Sequence, residues 1–469
     1  MAFHLRFLIL GGLAAVRFAI ADGLPAPVAG ALQEAGISMR NVAVRVQGVD
    51  GETLLDHNAH EPMNPASVMK LLTTYAALER LGPAHTWETE ALIERPPRDG
   101  RLEGNLYLRG SGDPRLAQER FWLFLRQLRT RGVREIEGDL VLDRDAFSLP
   151  PHDPAEFDDK PLKPYNVGPD ALLIDLKTLS FTLHAVVDEA RVEVWPETPG
   201  TDGRIRNQLT PGKDACGDWS ERLTIDLEGE AIVFRGVYPM SCGDKALGLS
   251  PWPADFQVER LFRALWEEMG GTLRGRVRGG SAPASARVFA VHTSPALAEI
   301  VREINKHSNN VMARQVFLAL DAARPATSEG ARRAIETWLS GKGLEMPELV
   351  LDNGSGLSRK ERISAGSLAR LLLAAWQSPV MPELMASLPL AGVDGTLRKR
   401  LNGDPVTGRA HLKTGYLENV RTLAGYALDG DGRRWIVVFL INDPRAHLGK
   451  PAMDALLRWL TTEDGRRKK

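Results

Sequence analysis

The first long predicted helix of the chain opens with Asn64-Pro65-Ala66-Ser67-Val68-Met69-Lys70-Leu71-Leu72-Thr73. Ser67 is the only one of the 20 serines that has a lysine three residues later. Positions i and i+3 lie one turn apart on the same helix face, so a deprotonated Lys70 amine can reach the Ser67 hydroxyl. The spacing indicates a serine nucleophile with a lysine base, although a helix-capping serine followed by an exposed lysine has the same pattern.

Two further short motifs lie in the second half of the chain. Ser308-Asn309-Asn310 is its only Ser-x-Asn, and Lys413-Thr414-Gly415 is its only Lys-Thr-Gly or Lys-Ser-Gly. Taken singly, the first is equally a polar connection between helices, and the second a surface lysine on an edge strand. All three motifs in this order, on a helix start, a helix link and a strand, favour one shared catalytic site.

Other catalytic signatures are absent from the sequence. It has no Gly-x-Ser-x-Gly, no His-Glu-x-x-His, no Walker loop and no Cys-x-x-Cys. No ligand set can be assigned to His57 and His60, and lysine-based activation of a serine needs no imidazole from His307 or His411. We therefore expect neither a metal site nor a cofactor.

The composition excludes several classes of protein. The 469-residue chain has 59 Lys and Arg against 60 Asp and Glu, and its net charge of −1 gives no basic field for nucleic acid. A hydrophobic fraction of 43% with 25% charged residues is typical of globular proteins. The length predicts about two to four domains.

The first 21 residues have the features of a secretory signal peptide. They comprise a short basic start, a mostly apolar run and the small-x-small pattern Ala19-Ile20-Ala21. Arg17 interrupts the apolar run, so a mis-assigned start or an amphipathic N-terminal helix is the alternative. No later stretch has the roughly 18 apolar residues of a membrane span, so we expect no stable span.

Cys216 and Cys242 are the only cysteines. They flank two strand-like runs, 223–227 and 231–236, which a turn at Gly229 separates. Because a hairpin brings its ends together, we expect one disulfide in an oxidising compartment, with two inert buried thiols as the alternative.

The two ends of the chain fit one mixed domain. Strands are predicted at 41–47 and 53–56 near the N-terminus and at 410–417, 421–428 and 434–441 near the C-terminus. Between them, 87–93, 102–108 and 136–142 are typical of short strands, with one amphipathic helix near 116–131 and no evident internal repeat. Further helices are predicted at 67–81, 295–306, 309–322, 328–341, 365–377 and 450–462.

The three motifs resemble the active-site set of penicillin-recognising serine enzymes. Four longer stretches, 64–73, 306–313, 354–359 and 392–397, are similar to class C low-molecular-mass penicillin-binding proteins, which are D-alanyl-D-alanine carboxypeptidases and endopeptidases. The similarity covers essentially the mature chain, and the roughly 240 residues between Lys70 and Ser308 match the large insertion of that family.

The resemblance implies the fold class. We expect a mixed α/β (α+β) transpeptidase-like domain, with an antiparallel sheet flanked by helices, split by an inserted β-rich two-domain segment. The predicted limits are a signal peptide (1–21), the transpeptidase-like domain (22–85 and 293–469), inserted domain II (86–164 and 251–292) and inserted domain III (165–250).

The resemblance also implies catalytic roles. Ser67 would attack the carbonyl of the penultimate D-alanine, and Lys70 would take its proton. Ser308 and Asn310 would relay protons and orient the substrate amide. Since a free lysine is almost wholly protonated at pH 7, Lys70 needs burial or a neighbouring cation to lower its pKa.

Substrate-binding roles are implied for the Lys413-Thr414-Gly415 motif and the residue after it. Lys413 and Thr414 would hold the terminal carboxylate, and the backbone N–H groups of Ser67 and Tyr416 would form the oxyanion hole. Tyr416 stands where a small Ser or Thr is common in this superfamily. Its side chain either contributes to specificity or packs into the core.

Three further residues resemble substrate-side positions of the family. Asp143 and Phe147 resemble an acidic and aromatic pair that can face the amino end of a diaminopimelate side chain, and Arg359 resembles a cleft-lining arginine. A structural or surface role is equally open for each of them.

The implied function is periplasmic hydrolysis of D-alanyl-D-alanine bonds in peptidoglycan stem peptides through a Ser67 acyl-enzyme, with acylation by β-lactams. One alternative is a β-lactamase or esterase on the same scaffold. Another is a non-catalytic peptidoglycan-binding protein. The sequence indicates no particular protein partner.

Overall fold

A computed structural model describes residues 23–462. The predicted signal peptide lies outside the described residues. The helices are α1 (Ala26–Glu34), α2 (Lys70–Leu81), α3 (Gln118–Thr130), α4 (Ala254–Glu268), α5 (Leu297–His307), α6 (Asn310–Ala319), α7 (Ser328–Gly341), α8 (Ala365–Trp376), α9 (Met381–Ser387) and α10 (Lys450–Thr461).

The strands of the same range form five sheets. They are β1 (Val42–Gly48), β2 (Thr53–His57), β3 (Glu88–Ile93), β4 (Arg101–Leu102), β5 (Leu106–Arg109), β6 (Glu135–Ile136), β7 (Leu140–Asp143), β8 (Leu179–Val186), β9 (Arg191–Pro196), β10 (Ile205–Gly212), β11 (Leu223–Glu228), β12 (Ala231–Pro239), β13 (Lys245–Leu249), β14 (Thr272–Leu273), β15 (Val277–Gly279), β16 (Arg287–Thr293), β17 (Ala410–Leu417), β18 (Val420–Leu428) and β19 (Arg434–Asn442).

A five-stranded antiparallel sheet joins the two ends of the chain. Its strand order is β17-β18-β19-β1-β2, and Val44 of β1 lies opposite Phe439 of β19. Successive β19 side chains enter two different cores, so Val438 packs with α2, α5, α6 and α8 and Val437 with α1 and α10. Because both faces are buried, β19 is almost wholly apolar. The predicted antiparallel sheet flanked by helices is confirmed.

The segment between α2 and α5 contains the other four sheets. A mixed sheet in the order β15-β7-β5-β3-β16 and a small parallel sheet, β14-β6-β4, share a core with α3 and α4. Two three-stranded sheets, β10-β12-β11 and β13-β8-β9, enclose a smaller core. The predicted disulfide between Cys216 and Cys242 is present beside the β11–β12 hairpin. The domain limits drawn from the sequence stay a prediction.

Several predicted elements differ in detail. The α-helix begins at Lys70 rather than Ser67, which lies in a 3₁₀ turn over Ala66–Met69. The runs 102–108 and 136–142 are each broken into two strands, and α1, α4 and α9 were not predicted.

The broken runs result from a structural repeat, so the expectation of no internal repeat was wrong. The stretches 102–106, 136–140 and 273–277 have the same structure. Each starts with the last residue of a two-residue strand, turns at a glycine and ends with the first residue of a second strand. Corresponding strands pair in parallel, with β6 between β4 and β14, and β7 between β5 and β15. Gly138 N–H donates to the Gly104 carbonyl at 3.2 Å, so the corners stack backbone to backbone.

This stacking requires glycine at two of the three corners. A Cβ on Gly138 would lie 2.5 Å from the Gly104 carbonyl oxygen, and one on Gly275 would lie 2.1 Å from the Gly138 oxygen. A Cβ on Gly104 would meet no atom within 4 Å. Parallel pairing of distant segments therefore depends on two particular glycines.

We predict that Gly138→Ala lowers the free energy of unfolding by about 1–3 kcal/mol, because the added methyl group overpacks against a backbone oxygen. Gly104→Ala is the matched control and should change stability by less than about 1 kcal/mol. Urea denaturation of the purified variants measures both values. Equal effects of the two substitutions would contradict the stacked-corner explanation.

Candidate active site

Ser67 and Lys70 lie one turn apart where α2 begins. Lys70 Nζ is 3.0 Å from the Ser67 Oγ, and it donates to Asn310 Oδ1 at 2.6 Å and to the carbonyl of Ser355. The lysine is fully buried, whereas Ser67 is half-buried. Burial lowers the pKa of Lys70 well below its usual range, and the charge of Lys413 lowers it further. An amine of lowered pKa is thus placed within reach of the serine hydroxyl.

The turn that carries Ser67 is fixed by contacts with distant segments. The Asn64 side chain accepts from the Ala66 N–H at 2.9 Å and donates to the Ser358 carbonyl at 2.8 Å. Thr422 of β18 donates to the Pro65 carbonyl at 2.7 Å. These bonds hold Ala66 at φ +47° and explain why the α-helix starts three residues later than predicted.

Two glycines allow neighbouring segments to approach this turn. A Cβ on Gly356 would lie 2.0 Å from the Ala66 carbonyl oxygen, and its φ of +79° also favours glycine. A Cβ on Gly415 would lie 2.8 Å from the Pro65 oxygen and 2.1 Å from Thr422 Oγ1. The third motif therefore contributes a glycine that lets β17 lie directly against the nucleophile turn.

The second and third motifs meet at Ser308. This residue ends α5 in the left-handed conformation, φ +59°, and the Asn309 side chain caps α6 by accepting from the Met312 N–H. Lys413 Nζ donates to Ser308 Oγ at 2.8 Å and to the Thr414 carbonyl at 2.7 Å. Burial lowers the pKa of Lys413 to about 7. The structure thus brings the three motifs together.

Glu361 is a site residue that the sequence analysis missed. It is fully buried, and its Oε1 accepts from the backbone N–H groups of Asp352, Asn353 and Gly354 at 3.2–3.4 Å. Burial raises the pKa of Glu361 to about 7, and its charge in turn raises the pKa of Lys70. Its flanking residues are basic, so the sequence is typical of an exposed charged segment.

Tyr416 is 59% exposed, so the alternative of core packing was wrong. The Arg421 guanidinium carbon lies 4.4 Å from the centroid of the tyrosine ring. The phenol therefore lies on the surface beside the motif, stacked on a side chain of the neighbouring strand.

The three secondary candidates, Asp143, Phe147 and Arg359, contact residues outside the three motifs. Asp143 is buried and accepts from Arg109 Nε and the Ala282 N–H, both at 3.0 Å. Phe147 places its ring against Gly112, where a Cβ would lie 2.3 Å from the ring. Arg359 is half-exposed, and its guanidinium carbon lies 5.0 Å from the ring centroid of Phe157. Within residues 23–462 none of the three bonds to a motif residue, and their substrate roles stay predictions.

A cavity of about 700 Å³ adjoins the loop that carries Ser355. It extends from that loop to the segment around Phe157, and Leu357, Ser358 and Arg359 contribute to its wall. In the described part of the chain, no group of three His, Cys, Asp or Glu side chains is arranged to hold a metal ion. None of the helices in that part is long and apolar enough to cross a membrane.

Comparison with known proteins gives relatives that match most of the chain. It is 32% identical over 415 residues to a D-alanyl-D-alanine carboxypeptidase of Actinomadura sp. (strain R39), which covers 83% of this chain and 75% of the relative. It is 25% identical over 396 residues to the D-alanyl-D-alanine carboxypeptidase DacB of Haemophilus influenzae, with 83% of each chain covered.

Solved structures show the same fold. The crystal structure of penicillin binding protein 4 from Haemophilus influenzae matches with a TM-score of 0.76 at 24% identity, over 93% of this chain and 99% of that chain. A crystal structure of that protein complexed with a β-lactam matches with a TM-score of 0.71 at 23% identity, over 92% of this chain and 100% of the other.

The family match spans almost the whole described chain. Residues 24–463 match the D-Ala-D-Ala carboxypeptidase 3 (S13) family, so both ends of the central sheet and the insertion between them lie within the match. The resemblance seen in the motifs is confirmed, and this chain belongs to the D-Ala-D-Ala carboxypeptidase 3 (S13) family.

Proposed function

We propose that this chain is a serine D-alanyl-D-alanine carboxypeptidase and endopeptidase that acts on peptidoglycan stem peptides through an acyl-enzyme. One observation carries the proposal: a fully buried lysine amine of lowered pKa lies 3.0 Å from the Ser67 hydroxyl. A buried neutral amine beside a half-buried hydroxyl is the arrangement that lysine-based activation of a serine requires.

These groups act one after another in acylation and in hydrolysis of the acyl-enzyme. Neutral Lys70 takes the Ser67 proton as Oγ attacks the carbonyl carbon of the penultimate D-alanine. The backbone N–H groups of Ser67 and Tyr416 stabilise the oxyanion. The C–N bond then breaks, and the departing amine receives a proton through the Lys70, Ser308 and Asn310 network. Water, deprotonated by Lys70, hydrolyses the ester and regenerates the serine.

The terminal carboxylate binds at Lys413. The ammonium of this lysine is buried, and its hydrogen bonds go to two neutral oxygens, the Ser308 hydroxyl and the Thr414 carbonyl. Because no anionic group is bonded to this ammonium, the site favours binding of an anion such as a carboxylate. The cavity of about 700 Å³ beside Leu357, Ser358 and Arg359 offers room for a more distant part of the stem peptide.

β-Lactams are acylating agents for the same serine. Their cyclic amide is opened by the same attack, but the departing amine stays attached and obstructs the approach of water. A stable acyl-enzyme is the consequence. The β-lactamase or esterase alternative differs in how fast that ester is hydrolysed. The non-catalytic alternative is disfavoured because Lys70 hydrogen-bonds to Ser67 and to Asn310 of the second motif, while Lys413 hydrogen-bonds to Ser308 of that motif.

The proposed place of action is the periplasm. The predicted signal peptide supports export, and the disulfide between Cys216 and Cys242 is of a kind that persists in oxidising compartments. Stem peptides of peptidoglycan are accessible there.

Ser67→Ala should abolish both D-alanine release and covalent labelling by fluorescent penicillin, since among the described residues Ser67 supplies the one hydroxyl that is hydrogen-bonded to Lys70 Nζ. The exposed Ser340→Ala is the control and should label as the wild type does. Gel fluorescence and mass spectrometry of the labelled peptide measure the outcome. An adduct that survives in Ser67→Ala would disprove the nucleophile.

The ratio kcat/KM for a D-alanyl-D-alanine peptide should give a bell-shaped pH profile. At low pH protonation of Lys70 removes the base, and above pH about 7 the buried Lys413 loses the charge that holds the carboxylate. The alkaline limb of kcat should lie at higher pH, because a bound carboxylate raises the pKa of Lys413. A kcat/KM that still rises at pH 9 would contradict this assignment.

A further inference from the structure

The loop 389–397 lies beside β17, and the mechanism above uses none of its residues. Two backbone hydrogen bonds join the loop to the strand, from Ala391 N–H to the Ala410 carbonyl and from Leu412 N–H to the Pro389 carbonyl, both 2.9 Å long. The loop is therefore fixed along the segment that leads into the Lys413 motif.

A partly buried ion pair joins the same loop to the end of α5. Lys306 Nζ donates to both Asp394 carboxylate oxygens, at 2.8 and 2.6 Å, and to the Leu388 carbonyl at 2.6 Å. Gly395, at φ +56°, packs so closely that a Cβ would lie 2.7 Å from the Lys306 carbonyl oxygen. The loop is thus held two residues before Ser308 as well as along β17.

These contacts place the Thr396 hydroxyl at the carboxylate site. Its Oγ1 lies 2.9 Å from Thr414 Oγ1, and either oxygen can be the donor. Thr396 is exposed and Thr414 is half-buried, so both hydroxyls face the open side of the motif. Each hydroxyl carries one proton, and only one of the two protons is used in their mutual hydrogen bond.

The residue after the Lys413 motif makes this second hydroxyl significant. Thr414 and Tyr416 lie on the same face of β17, because side chains alternate along a strand. Position 416 carries a phenol that lies over Arg421, rather than a small hydroxyl side chain. Thr414 is therefore the only residue of β17 with an aliphatic hydroxyl, and the Thr396 hydroxyl lies next to it from another segment.

We propose that the Thr396 hydroxyl donates a hydrogen bond to the terminal carboxylate of the substrate, beside Thr414 and Lys413. On binding, the hydrogen bond between the two threonines is replaced by one bond from each hydroxyl to the carboxylate. This makes Thr396 a determinant of the preference for a free carboxyl terminus. The inference rests on the proposed function, since it names a further contact of that substrate.

The test compares two peptides, one with a terminal D-alanyl-D-alanine carboxylate and the same peptide as its C-terminal amide. Thr396→Val removes the hydroxyl at nearly constant volume. It should lower kcat/KM for the carboxylate about tenfold, mainly through KM, and change the amide less than about twofold. Thr396→Ser keeps the hydroxyl and should stay within about threefold of the wild type. Equal losses on both peptides, or no loss, would overturn the proposal.

A double-mutant cycle separates contact from positioning. If Thr396 only orients Thr414, Thr396→Val has no further effect in a Thr414→Val background. Direct contact with the carboxylate predicts that most of the tenfold loss persists there. Loss of the effect in that background would overturn the proposed contact.

Acylation by penicillin and by its methyl ester keeps the test independent of peptide cleavage. The same selective loss on the free acid is expected for Thr396→Val, and an equal fold-loss of the acylation rate on acid and ester, relative to the wild type, would overturn the inference. A wild type that is acylated but releases no D-alanine would contradict the proposed function alone. A wild type that is neither acylated nor active would overturn both.

Discussion

Two lysine amino groups buried in one site are the constraint on which the remaining structure depends. Lys70 and Lys413 are both fully buried, and each raises the cost of charging the other. Their hydrogen bonds go to neutral oxygens, so neither lysine is neutralised by a bonded carboxylate. Catalysis needs a neutral base and an affinity for anions. Both features thus arise because no carboxylate is bonded to either lysine.

Such a site requires a rigid frame, because relaxation would let water reach the amines. The frame is the central sheet, whose β19 is packed on both faces, and the turn of Ser67 lies against it between Gly356 and Gly415. The strands of this sheet come from the two ends of the chain, and β17 and β18 contact the turn. The insertion between α2 and α5 is compatible with this arrangement, since it interrupts neither the sheet nor the turn.

Sequence reasoning predicted what local periodicity controls. The strands β1, β17, β18 and β19, the helices α5 to α8 and the three motifs all depend on patterns within a few residues. Sequence reasoning failed where contacts between residues far apart in the chain determine the local structure. The turn at Ala66 is imposed by Asn64 and Thr422, and the stacked corners depend on parallel pairing of segments distant in the chain, such as Thr272 with Glu135. Glu361, between two basic residues, carries no local signal that it is buried.

Glu361 shows how the site limits its own response to acid. Its charge raises the pKa of Lys70, and burial has raised its own pKa to about 7. As the pH falls, Glu361 takes up a proton and that influence on Lys70 is lost, so the pKa of the lysine falls further. The amine therefore remains neutral to a lower pH than it would beside a permanently charged carboxylate. Because Glu361 also holds the loop that offers the Ser355 carbonyl to Lys70, one side chain links the position of the base to its charge.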